Sequence, residues 1–123
     1  MVRPANEVTR SVDSYRQYII ESMGEFTVAK NAFVGTQSGW LGDREGVYLS
    51  YGKPVVVQET GFSNHFPCGR GLFSVHSVEE AAAAIAEIHA DYRTHSLAAR
   101  AIAEEYLSIE KVGGDFLRQA GLA

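Results

Sequence analysis

The sequence predicts an α/β fold: a partial three-layer domain with a short parallel sheet of about three strands, followed by C-terminal helices. Three observations carry this reading. The runs Ala32–Val34, Val55–Val57 and Leu72–Val75 are short and continuously apolar, which suits strands buried on both faces of a parallel sheet better than half-exposed antiparallel ones. A helical segment between the first two supplies the crossover, normally right-handed, that parallel pairing needs. From Ser77 onward, the chain is rich in alanine and has helical periodicity.

The 123 residues, 46% hydrophobic and 21% charged, fit one compact domain spanning 1–123. A net charge of -4, with 11 basic residues scattered along the chain, predicts no nucleic-acid partner. Cys68 is the single cysteine and has no internal disulfide partner, which predicts a cytoplasmic protein. No apolar run approaches the roughly 20 residues of a membrane span, and MVRPANEVTR lacks the apolar region of an export signal.

In chain order, residues 1–12 read as an extended N-terminal arm. Tyr15, Tyr18, Ile19 and Met23 then follow helical spacing, with Asp13 or Ser14 as the N-cap and Gly24 as a kink or an end. Glu25–Lys30 reads as a second short helix, released at Asn31 before the first strand. Asp43 opens a helix that ends before the Gly52-Lys53-Pro54 turn and the second strand. The third strand follows the long loop GFSNHFPCGRG. Ser77 and Glu80 form a capping box for a helix running to about Asp91, with Ala81, Ala84, Ile85 and Ile88 on one face. A second helix beyond His95 turns Leu97, Ala98, Ile102 and Tyr106 inward. Gly113-Gly114 interrupts the chain before a last segment, Asp115–Ala120, ended by Gly121.

Function centres on Thr36–Gly61, TQSGWLGDREGVYLSYGKPVVVQETG. In an open parallel sheet, ligands gather beyond the carboxyl ends of the strands, where the loops Thr36–Gly42 and Glu59–Gly71 are expected to meet. A helix starting at Asp43 offers free N–H groups and a positive dipole end, while Gly39 and Gly42 leave the backbone open to close approach. This is either an anion site or a tight turn capped by Asp43. Arg44 is placed either to grip a phosphate or to bridge to a surface carboxylate. Lys53 is either a phosphate ligand or a solvated turn residue, and Arg70 has the same two readings as Arg44.

The motifs Ser38-Gly39-Trp40, Glu45, Gly52-Lys53-Pro54-Val55-Val56-Val57 and Glu59-Thr60-Gly61 resemble the C-terminal, donor-binding domain of bacterial GT-B-fold glycosyltransferases of families 1 and 4. Gly71-Leu72-Phe73, the capped helix at Ser77 and Ala98-Ala99-Arg100 to Tyr106 extend the resemblance over most of the chain from about Tyr15. It implies a partial Rossmann-like domain that binds a nucleotide-diphosphate sugar as donor substrate, with no separate cofactor. The implied donor-binding residues are Gln37, Ser38, Gly39, Trp40, Gly42, Asp43, Arg44, Glu45, Glu59, Thr60 and Gly61. Gly39-Trp40 matches the Gly-Trp of the family 1 signature, and Gln37 stands where that signature has a phosphate-binding histidine. Glu45 has the spacing from Trp40 of the ribose-binding acid but lies two residues too far from Gly52. By the family 4 pattern, Val47 stands where a glutamate is expected, and Glu59 falls at an acidic residue near the donor sugar.

The N-terminal acceptor domain of that fold has no counterpart here, so catalytic residues are unassigned. The chain is either part of a longer enzyme or a stand-alone descendant that binds without transferring, and a truncated sheet edge would let it form a homodimer. His65 and Cys68 lack the partners of a zinc site, so no metal is expected. A nucleophilic Cys68 would need a base such as His65 and an electropositive setting. His76, His89, His95 and the paired Glu79-Glu80 and Glu104-Glu105 read as structural or solvated.

Overall fold

The computed structural model describes residues 2–123. Helices α1 (Ala5–Val8) and α2 (Val12–Glu21) precede strand β1 (Glu25–Thr27), followed by α3 (Asn31–Thr36), α4 (Asp43–Ser50) and β2 (Val55–Gln58). A 3-10 turn, Phe62–Asn64, leads to β3 (Leu72–Val75), and the chain ends with α5 (Val78–Ala90), α6 (Tyr92–Tyr106) and α7 (Ile109–Gln119). The fold is the expected mixed α/β one. Its sheet has three parallel strands in the order β1-β2-β3.

Because side chains alternate along a strand, β2 serves two cores. Val55 and Val57 face a cluster with Leu72, Ile19 of α2, Leu49 of α4, and Ala99 and Ile102 of α6. Val56 faces the other way, joining Phe73 and Val75 against Ala81, Ala84 and Ile88 of α5. The all-valine sequence of β2 is thus explained by helices on both sides of the sheet.

The first strand differs from expectation. Ala32–Val34 lies within α3, and the strand is formed by Glu25–Thr27, which read as helical. Gly24 allows the displacement, since a side chain there would strike the Pro54 carbonyl, and the Glu25 amide donates to that carbonyl at 3.0 Å. Long-range pairing to β2 therefore overrides local propensity. Glu25 and Thr27 point to the α4 side, so two of the three residues are polar and the strand lacks an apolar signature.

Several boundaries also shift. The supposed arm contains the single turn α1, and Ser11, not Asp13 or Ser14, caps α2 by exchanging hydrogen bonds with Ser14. Gly113 and Gly114 lie inside α7. Ser108 caps that helix, and Asp115 pairs with Lys111 at 3.0 Å and with Arg118, tying the turns on either side of the glycines. In α6, Leu97 faces outward while His95, Ala99, Ile102 and Ala103 are buried. Ile85 of α5 is likewise exposed, by 41%. Ser77 accepts from the Glu80 amide at 3.1 Å as expected, but the Glu80 carboxylate accepts from His76 N–H rather than completing the box.

Candidate functional site

The site is built where α4 begins. Gly42 is the N-cap residue and provides no side-chain cap, so the first-turn amides of α4 are not closed off by a capping hydroxyl or carboxamide. The preceding loop follows α3, not a strand, yet it reaches the carboxyl end of β2. The Gly39 amide donates to the Thr60 carbonyl at 2.7 Å, and the Thr60 hydroxyl donates to the Trp40 carbonyl at 2.6 Å. These bonds join the two loops expected to converge.

Gly61 makes this approach possible. Its φ is +97°, and a Cβ there would lie 2.8 Å from the Gln37 carbonyl oxygen. Glu59 fixes the start of the second loop, accepting from Ser74 and from the Gly61 amide. Burial acts to raise the Glu59 carboxyl, but hydrogen bonds from Ser74, Ser63 and the Gly61 and Ser63 amides outweigh it and hold it below the usual carboxylate range. Glu59 therefore works as a charged clasp within the loop.

Beside the loop, a cavity of about 600 Å³ lies between α4 and α6. Gly39, Gly42 and Asp43 line one end. Leu41, Val47, Phe66 and Leu107 provide apolar wall, and Arg100 and Glu104 lie along α6. The two sheet-facing helices leave this space because Gly46 and Ala103 present little side chain where they approach.

Of the residues implied by sequence, Gly39, Gly42 and Asp43 line the cavity and Thr60 and Gly61 brace it. Gln37 and Ser38 remain on the loop surface, with Gln37 donating to the Val34 carbonyl and Ser38 accepting from the Trp40 amide. Trp40 stacks on Phe33 with ring centres 5.1 Å apart. Arg44 turns toward β1, donating to Glu25 and, at 3.1 Å, to Thr27. Burial raises the Glu25 carboxyl, with the Glu45 charge adding to the rise and Arg44 opposing it.

Glu45 is enclosed. Its side chain is 1% exposed, and Oε1 finds no hydrogen-bond partner among the described residues. Among the described residues it is ion-paired only with Arg44, 4.0 Å away. Sequence reading passed over two features. His65, considered as a metal ligand or as a base for Cys68, lies beside Gly39, and buried His95 accepts from the Gly71 amide at 3.3 Å. Their roles depend on loop packing, which no local motif reports.

Cys68 is at the surface, but desolvation and then the Glu59 charge push its thiol up to about 11. It is protonated at neutral pH, contrary to what a nucleophile requires. Among the described residues, no group of three or more His, Cys, Asp or Glu side chains is placed to hold a metal, and no helix is long and apolar enough to cross a membrane.

The fold and site define a small α/β domain with a glycine loop and helix N-terminus beside a cavity between α4 and α6. Comparison of the chain with protein-family models, curated proteins and solved structures finds no match.

Proposed function

We propose that this chain is a glycosyltransferase-like nucleotide-sugar donor-binding domain, cytoplasmic and inactive alone without an acceptor domain. The observation that carries the proposal is the joining of the Gly39 and Thr60 loops beside the open start of α4, with Gly39, Gly42 and Asp43 on the wall of a cavity of about 600 Å³. Free amides and the helix dipole favour a diphosphate, and the apolar wall suits a nucleoside. His65, whose ring lies beside Gly39, would supply the imidazole that Gln37 lacks.

In a complete enzyme, these N–H groups would stabilise charge on the departing nucleotide diphosphate as an acceptor attacks the anomeric carbon. The acceptor and any general base come from outside this domain. Titration with uridine and guanosine diphosphates, followed by NMR, should shift the amides of Gly39–Arg44; unmoved amides at millimolar ligand would refute the proposal.

A second reading is a non-enzymatic interaction module that homodimerises through its truncated sheet. The observation favouring it is that β1 is an edge strand beside exposed apolar side chains: Phe26 is 51% and Met23 52% exposed, with Val28 and Ile85 nearby in the grooves on that face. Sedimentation distinguishes this reading, which requires a stable dimer lost on Phe26→Asp. A monomer at high concentration counts against it.

A further inference from the structure

Glu45 changes what an anion would meet at the start of α4. It is the third residue of that helix, and its carboxylate turns back beneath the N-cap, so that a methyl on Gly42 would collide with Oε2. A glutamate at this position commonly returns to bond the N-cap amide. Here Oε1 has no partner among the described residues although the side chain is 1% exposed, and Arg44 is engaged by Glu25 and Thr27. The helix start therefore combines open amides with a buried carboxylate, and Asp43 adds a second acid at the rim.

We infer that Glu45 is a specificity-determining residue that makes the cradle favour a diphosphate esterified at both ends over one with a free terminal phosphate. This inference rests on the diphosphate reading above. Each phosphate of a nucleotide sugar is a diester with one negative charge, whereas the terminal phosphate of a nucleoside diphosphate is a monoester carrying about -1.5 to -2 at neutral pH. A carboxylate beneath the N-cap, whose guanidinium partner Arg44 stands 4.0 Å away and is shared with Glu25, repels the second more strongly. Donor would be retained and free nucleotide released.

The test compares uridine diphosphate glucose, uridine diphosphate and its terminal methyl ester by calorimetry on wild type and Glu45→Gln, with thermal melting to confirm folding. In wild type, the methyl ester, which lacks the sugar but carries the diester charge, should bind like the sugar nucleotide and more tightly than uridine diphosphate. Glu45→Gln should tighten uridine diphosphate about tenfold and the two diesters by much less. Equal gains, or a methyl ester that binds like uridine diphosphate, overturn the role of Glu45 while leaving the cradle intact. If Glu45→Gln does not fold, a wild type that binds the methyl ester no more tightly than uridine diphosphate still overturns the inference. If none of the three ligands binds either protein, the cradle reading fails and the inference fails with it.

Discussion

At Glu59 the physics of one carboxylate can be followed to a measurable consequence. Its folded pKa is depressed, so its contribution to stability is present above the ordinary carboxylate value and is lost as pH falls through the depressed one. Glu59→Gln should cost about 1–3 kcal/mol at neutral pH and flatten the acid limb of a denaturation series. Glu25 has the opposite sign. Its carboxyl is raised by burial, so its contribution is full below the ordinary value and is lost as pH rises through the raised one. Glu25→Gln should remove that decline. For Cys68, alkylation should be slow at neutral pH and accelerate toward a pH of about 11. A rate already on its plateau at neutral pH would contradict the raised thiol.

Among the elements, turns and caps determine how the helices sit on the sheet. Gly71, with φ +74°, lies against the Ala98–Ala99 backbone of α6, where a methyl would collide. Gly69, with φ +105°, has nothing within 4 Å of the corresponding position. Gly71→Ala should therefore cost about 2–4 kcal/mol, against about 1–2 for Gly69→Ala, whose penalty is backbone strain alone. Urea denaturation of both variants tests the difference. Ser77→Ala should cost about 1 kcal/mol through its lost N-cap. The Ser77 cap was legible because capping is local, whereas the Gly71 contact spans 27 or 28 residues in sequence and gives no local signal.

Across the whole molecule, burial is uneven. The sheet is covered on both faces at β2, but on the α5 side Phe26 of β1 is left half exposed. Helix α7 carries Ile109, Val112 and Phe116 at helical spacing, exposed by 81%, 52% and 68% respectively. Since Phe116 contributes little buried area, Phe116→Ser should change the stability of the isolated chain by no more than about 0.5 kcal/mol. A larger loss in thermal melting would mean that the α7 face is covered in solution.

The sequence by itself determined the strands at Val55 and Leu72, the Ser77 helix and the class of sheet. Burial on two faces leaves a continuous apolar run, and a capped helix announces its start within four residues. It also singled out Gly39, Gly42 and Asp43. Only the tertiary structure decided that β1 lies at Glu25–Thr27, that Arg44 turns to Glu25, that Glu45 is enclosed and that a cavity separates α4 from α6. Each is settled by contacts between distant segments. A charged side chain such as Glu25 or Glu45 reads as solvated until the fold brings another segment over it.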